Sequence, residues 1–218
     1  MKKTLLTIAL LSSFSTVALA NQAGDILIRG GVTMVSPDSG KSAVLLAGAD
    51  SGLALSVDDN AQLGLNFVYF FDNNWAIELL AATPFDHDIK LHAGDVTTTL
   101  ADTKQLPPTL SALYYFDTGS AIKPYVGLGI NYTIFFDNSF TGTYSEAGFS
   151  NLELDNSFGY AVQVGVDYEI DKNWSVNASA RYIDISTDAT FAVGGDNIGS
   201  SSVDINPMVY SVMLGYKF

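Results

Sequence analysis

The side chains best suited to acid–base or metal chemistry are two histidines, His87 and His92, in a chain without cysteine. The run Asp86-His87-Asp88 has the residue types of a weak metal site, but no third His or Cys ligand accompanies it. Acyl transfer would need a His beside a Ser or Asp partner, and no spacing in the sequence indicates such a set. The sequence therefore predicts a solvated polar loop around both histidines, no metal or other cofactor, and no enzymatic activity.

The rest of the chain is predicted to form extended strands, of which residues 158–168 and 174–182 are the clearest. Apolar side chains alternate strictly with small or polar ones along both segments, a pattern that suits a strand with one apolar and one polar face. Each segment is about twice as long as the usual strand of about 5 to 6 residues. A tilted strand needs roughly 9 to 11 residues to cross a bilayer. We therefore predict a membrane-spanning hairpin whose apolar face meets lipid.

Aromatic residues lie at the ends of the apolar stripes, where amphipathic rings favour the headgroup level of a bilayer. The residues predicted for the two membrane interfaces are Trp75, Phe158, Tyr168, Trp174, Tyr182, Tyr216 and Phe218. This arrangement is typical of an outer-membrane barrel and not of a soluble sandwich, whose apolar faces pack on each other.

The same alternation recurs along the chain. The predicted strands are residues 24–35, 61–71, 75–83, 109–117, 123–135, 158–168, 174–182 and 204–218. Tight turns rich in Asp, Asn and Gly alternate with long polar loops over residues 36–60, 84–108, 136–156 and 187–203. We therefore predict an all-β fold, an eight-stranded antiparallel transmembrane β-barrel with short periplasmic turns and long extracellular loops.

Residues 1–20 have the three parts of a secretory signal peptide, with Lys2 and Lys3 followed by the apolar run 5–11 and the small-residue site Ala18-Leu19-Ala20. The apolar run is far shorter than the ~20 residues of a spanning helix. We predict a signal peptide at residues 1–20 and an outer-membrane barrel at residues 21–218, in a Gram-negative bacterium. The formal net charge of −13 argues against nucleic acid as a partner.

Short motifs are spread in order over nearly the whole chain. They are Gln62-Leu63-Gly64-Leu65, Ile77-Glu78-Leu79-Leu80-Ala81-Ala82-Thr83-Pro84-Phe85, Leu106-Pro107-Pro108-Thr109-Leu110, Pro124-Tyr125-Val126-Gly127, Asn131-Tyr132-Thr133 with Phe135-Phe136-Asp137-Asn138, Gln163-Val164-Gly165-Val166-Asp167-Tyr168 and Gly215-Tyr216-Lys217-Phe218. With these motifs the chain resembles the outer membrane protein W (OmpW) family. The resemblance implies an eight-stranded barrel with a narrow, largely apolar channel, associated with movement of small hydrophobic molecules across the outer membrane.

An eight-stranded barrel has an interior just wide enough for side chains or one small ligand. The lumen-facing residues Arg29, Glu78 and Asp167 fall near one height toward the periplasmic side, so we expect them to pair. Together with Gln163 and Arg181 they form the predicted polar layer. A structural plug is favoured over a role in selectivity, because unpaired charges in such a space are destabilising.

Nearer the outside, the lumen positions become apolar. The predicted lining is Leu80, Leu113, Phe135, Ile183, Val209 and Met213, with Leu113 and Met213 somewhat lower. The alternation of side chains between the two faces of a strand leaves open whether these residues form a dry pocket for a guest or pack on one another. The family resemblance favours the pocket. Arg181 is predicted among them, where it could pair with Glu78 or bind the headgroup of an amphipathic guest.

Two functions fit this interior. The first is passage of small hydrophobic molecules through a narrow, mostly apolar lumen, with sideways exit into the bilayer above the polar layer. The alternative is a structural or surface-docking barrel whose acidic loops contact phage, bacteriocins or host components without transport. The expected partners are outer-membrane lipid, lipopolysaccharide and a small hydrophobic ligand. The sequence specifies neither the guest nor the oligomeric state.

Overall fold

The computed structural model describes residues 21–38 and 40–218. The predicted signal peptide lies outside these residues and stays a prediction. The elements are β1 (Ile26–Ser36), β2 (Ser42–Leu46), β3 (Ala49–Val57), β4 (Asn60–Phe70), β5 (Trp75–Ala82), β6 (Phe85–Ala93), β7 (Val96–Leu106), β8 (Thr109–Tyr115), β9 (Ile122–Phe140), α1 (Gly142–Glu146), β10 (Phe149–Leu154), β11 (Ser157–Glu169), β12 (Trp174–Ile183), β13 (Ser186–Val193), β14 (Asp196–Asp204) and β15 (Met208–Lys217). No helix in this part of the chain is long and apolar enough to cross a membrane.

Eight of the strands close into an antiparallel barrel, which confirms the predicted fold class. Around the barrel the order is β9-β11-β12-β15-β1-β4-β5-β8, and β8 pairs back onto β9. The first and last strands, β1 and β15, pair from Leu27 opposite Lys217 to Ser36 opposite Met208, so the wall is continuous there. The last barrel strand begins at Met208 and not at the predicted residue 204, because Asp204 still pairs with Ser186 in another sheet.

The four long connections, predicted as long polar loops, have regular structure of their own. They form seven further strands, β2, β3, β6, β7, β10, β13 and β14, together with the short helix α1. These strands pair in the order β10-β13-β14-β2-β3-β6-β7 and join the barrel through the far end of β9. We call this second sheet the outer extension. Its strands pair between different connections, such as β14 with β2 and β3 with β6.

The outside of the barrel is an apolar band. Val32, Leu63 and Leu128 are 56%, 67% and 68% exposed, whereas Thr33, next in sequence to Val32, is buried. Such a surface needs a lipid neighbour, because water disfavours it by about 25 cal/mol per Å². Of the seven aromatic residues predicted for the interfaces, five are exposed and Tyr182 and Tyr216 are half-buried. The Tyr216 ring packs on Trp174 with ring centroids 4.9 Å apart.

Large side chains fill the inside of the barrel, and glycines on neighbouring strands leave the space that these side chains occupy. A Cβ atom at Gly165 would overlap the Tyr125 ring, and one at Gly127 would overlap Leu113 and Gln163. The lumen at this level is therefore a packed interior and not a water-filled channel.

Candidate functional site

A charged cluster crosses the middle of the barrel. Arg29 on β1 binds Asp167 on β11 through two hydrogen bonds, Nε to Oδ1 at 3.1 Å and Nη2 to Oδ2 at 2.5 Å. Its Nη1 donates to Glu78 Oε2 on β5 at 3.0 Å. All three side chains are buried. The three predicted lumen charges therefore meet at one level and link three strands that are not neighbours in the barrel.

Arg181 on β12 reaches into the same cluster. Its Nη2 donates to Glu78 Oε1 at 2.5 Å and also to Gln163 Oε1, while Gln163 Nε2 donates to Glu78 Oε1 at 2.9 Å. Arg181 is thus a member of the polar layer and pairs with Glu78, one of the two roles considered for it, because its long side chain extends away from the apolar residues beside which its strand position places it. Two arginines and two carboxylates balance in charge, which a buried ionic cluster requires.

Four further polar side chains complete the layer, and sequence reasoning missed them. Tyr115 Oη lies 2.5 Å from Arg29 Nη2, and Asn66 Nδ2 donates to Glu78 Oε2 at 3.0 Å. Asn177 Nδ2 donates to Asp167 Oδ1 at 2.9 Å and to Tyr125 Oη at 3.1 Å. The two-residue alternation of the strands could have identified them, since it places their side chains on the same lumen face as the charged residues.

An apolar cluster lies on the periplasmic side of this layer. Its buried members are Leu27, Val68, Phe70, Ala76, Leu113, Tyr115 and Tyr125. The assignment of Leu113 to the outer lining is therefore wrong, because Leu113 pairs with Ala76 near the start of β5. The polar layer and this cluster together close the lumen toward the chain termini.

A larger apolar interior lies on the opposite side of the polar layer, inside the outer extension. It includes Phe135, Ile183 and Val209 from the predicted lining, packed with residues of the extension strands. Leu80 and Met213 are buried as well but belong to neither apolar cluster. The predicted lining is therefore divided between different levels of the barrel.

Within the extension is a narrow cavity of ≈ 30 Å³. Phe135 is the one member of the predicted lining that borders it; most other wall residues come from β6, β7, β13 and β14, among them Ile89, Leu100, Ala189 and Phe191. Sequence reasoning missed this wall because it treated those segments as solvated loops.

His87 lies in the wall of this cavity and is 3% exposed, so the prediction of a solvated loop is wrong for this residue. Its Nδ1 lies 2.7 Å from the carbonyl oxygen of Asp58, and its Nε2 lies 2.9 Å from Gln105 Nε2. Burial lowers the pKa of the His87 ring below its ordinary value, against the opposing effect of nearby carboxylates. The ring is therefore neutral at neutral pH.

The residues beside His87 do not share a site with it. Asp86 is exposed and Asp88 half-buried, because neighbours along a strand point to opposite faces. His92 lies in the same strand, with its ring 2.8 Å from Ser56 Oγ and 3.0 Å from Thr97 Oγ1. Within residues 21–38 and 40–218, no group of three or more His, Cys, Asp or Glu residues is placed to hold a metal ion.

A closed eight-stranded barrel with an apolar outer band and a charged layer across its lumen defines a small outer-membrane barrel protein. The chain belongs to the OmpW family, whose model matches residues 22–218. It is therefore a protein of the outer membrane of a Gram-negative bacterium, surrounded by outer-membrane lipid.

Relatives match over nearly the full length. The chain is 45% identical to outer membrane protein W of Escherichia coli, with 100% of this chain and 99% of the relative covered. The crystal structure of the outer membrane protein OprG from Pseudomonas aeruginosa is similar with a TM-score of 0.86 and 42% identity, over 91% of this chain and 98% of that one. A more distant relative of Pseudomonas aeruginosa, 23% identical over 86% of each chain, is named dibenzothiophene metabolism operon protein PahQ.

Proposed function

We propose that the protein admits small hydrophobic molecules from the cell surface and passes them into the outer membrane through the interior of the outer extension. The observation that carries the proposal is the order of the layers, an apolar interior directly outside a cluster in which each charge has an opposite partner. An apolar guest is favoured in the first layer and strongly disfavoured in the second. The name of the relative PahQ supports this guest class, because dibenzothiophene is a small apolar aromatic molecule.

The cavity is too narrow for a guest of two fused rings without a movement of its walls. Its ≈ 30 Å³ holds roughly one or two water molecules, so a guest of two fused rings has to displace side chains. All seven strands of the extension lie outside the closed barrel. In the proposed mechanism the strands of the extension therefore move apart to admit the guest, and the barrel beneath them stays fixed.

The gap between β5 and β8 is the proposed exit. Their pairing ends at Leu80 opposite Thr109, although β5 continues to Ala82. Pro107 and Pro108 precede β8 and have no N–H group to pair with β5. A guest above the polar layer would leave here into lipid, as a sideways route requires.

The proposed role includes no catalytic step. The His87 ring nitrogens are both committed, to the Asp58 carbonyl and to Gln105, and neither is placed beside a nucleophile such as Ser or Cys. The protein's part is to exclude water and to provide an apolar path.

Uptake of an apolar dye, N-phenyl-1-naphthylamine, tests the proposal in vesicles with lipopolysaccharide in their outer leaflet. Ala189→Trp fills the cavity wall, whereas Ala178→Trp places the same ring on an exposed position of β12 that faces lipid. We expect Ala189→Trp to slow dye uptake severalfold and Ala178→Trp to leave it unchanged. Equal rates in all three proteins would contradict transport and favour the surface-docking alternative.

A further inference from the structure

The hydrogen-bonding state of His87 follows from its neighbours. The carbonyl oxygen of Asp58, 2.7 Å from Nδ1, can only accept a hydrogen bond, so Nδ1 carries the proton and donates. A neutral ring with its proton on Nδ1 has a lone pair on Nε2. The Nε2 atom of His87 is therefore an acceptor.

This state fixes the side-chain amide of Gln105. The Gln105 Nε2 group donates to His87 Nε2 at 2.9 Å, and a reversed amide would place two acceptors against each other. The carbonyl oxygen Oε1 is consequently turned away from His87. It is buried and has no hydrogen-bond partner among residues 21–38 and 40–218.

Gln105 lies in the wall of the apolar cavity, on β7, where it pairs with Phe85 of β6. Two other polar wall residues have already used their donors, since the Thr103 hydroxyl donates to Asn138 Oδ1 and the Thr187 hydroxyl donates to the Asp155 carbonyl. Of the buried side-chain atoms without a partner in the described part of the chain, Gln105 Oε1 is the one on a residue that borders this cavity. A buried acceptor without a partner favours any guest that supplies a donor.

We propose that Gln105 Oε1 is a recognition group for the hydroxyl of an apolar guest, so that the extension prefers small apolar alcohols and phenols to hydrocarbons of the same shape. This inference rests on the proposed function and specifies its substrate class. The apolar wall holds the body of the guest, and the single acceptor selects a neutral donor. A carboxylate guest is disfavoured, because it would place acceptors and a charge against Oε1.

The test compares two probes that differ by one hydroxyl, 1-naphthol and naphthalene, binding to the full-length barrel in lipid nanodiscs. Gln105→Met keeps the length of the side chain and removes the acceptor. We expect it to weaken 1-naphthol binding about threefold to tenfold, the usual value of one hydrogen bond, and not to weaken naphthalene binding. Gln62→Met, the same substitution on β4 outside the cavity wall, is the matched control and should leave the preference for 1-naphthol unchanged.

A second measurement needs no variant. The side-chain amide resonance of Gln105 in the wild-type protein should shift further when 1-naphthol binds than when naphthalene binds, because both probes exert a ring-current effect and only 1-naphthol adds a hydrogen bond. If both probes bind and neither Gln105→Met nor the amide resonance distinguishes them, the hydroxyl recognition is overturned while the proposed carrier function stands. If neither probe binds the wild-type protein, the carrier function and this inference are both overturned.

Discussion

At the scale of single residues, Glu78 is shared by two arginines. Its Oε2 accepts from Arg29 at 3.0 Å and its Oε1 accepts from Arg181 at 2.5 Å, and both carboxylate oxygens are buried. Buried charges stabilise a protein only when each is paired and hydrogen-bonded. The second pair of the cluster, Arg29 with Asp167, is balanced by itself.

This arrangement predicts how the cluster responds to substitution. Arg181→Leu leaves two carboxylates facing one arginine, and we expect it to lower the free energy of unfolding by about 3–5 kcal/mol. The double variant Glu78→Leu/Arg181→Leu leaves the balanced Arg29–Asp167 pair and should be more stable than Arg181→Leu alone. Urea unfolding in lipid vesicles measures both. A double variant less stable than the single one would mean that charge balance does not govern this layer.

The buried His87 ring predicts a pH dependence of the outer extension. Its pKa is lowered in the folded protein by burial, although Asp58, Asp59 and Asp86 act in the opposite direction. The unfolded chain therefore binds the proton more readily, and stability falls as the pH drops from about 6.5 through the folded pKa. We expect the opening free energy of β6 and β7, obtained from hydrogen exchange after correction for the slower intrinsic exchange at lower pH, to fall between pH 7 and pH 5 by more in the wild type than in His87→Leu. An equal fall in both proteins would rule out His87 as the cause.

The alternation of side chains along the strands predicted some residues of the site and missed others. Arg29, Glu78 and Asp167 are buried as the two-residue period of a strand requires. The period gives the face of a side chain but not its reach, so it left open whether Arg181 pairs with Glu78 or binds a guest. The burial of His87 was missed because its strand was not recognised at all.

At the scale of elements, the barrel strands were predictable and the extension strands were not. A bilayer imposes strict alternation over about ten residues. In the extension, irregularities interrupt the alternation between Ile89 and Lys90 and between Phe191 and Ala192. Phe191 and Ala192 are both buried although they are neighbours in sequence. Such bulges remove the periodic signal from strands that are in any case paired with distant segments.

A disulfide between the last paired residues of β5 and β8 should hold these two strands together and slow dye uptake. Leu80 and Thr109 are directly opposite, at a separation that a disulfide can bridge in an antiparallel pair. Because separation of the strands would start here, oxidised Leu80→Cys/Thr109→Cys should slow dye uptake, and reduction should restore it. The matched control is Thr33→Cys/Ser211→Cys, whose native hydroxyl oxygens are 3.0 Å apart between β1 and β15. Equal uptake in the oxidised and reduced forms of the first variant would exclude this gap as the exit.

At the scale of the whole molecule, the protein is a stack of three interiors. An apolar cluster closes the barrel toward the chain termini, the charged layer crosses its middle, and the apolar extension stands on the other side. The charged layer was predicted from the sequence through the barrel pattern, whereas the apolar cluster beneath it was not. The third depends on contacts between four separate connections, which no local pattern contains.

The path of a guest through this stack can be mapped with a photoactivatable apolar probe, a short alkane that carries a diazirine. After irradiation of the barrel in lipid, mass spectrometry identifies the labelled residues, and labels on lipid-facing positions serve as the background. We predict labels on Ile89, Leu100 and Phe191 in the extension cavity and none on Tyr115 or Tyr125 beneath the charged layer. Labels on those two tyrosines, or an unlabelled cavity, would contradict the account.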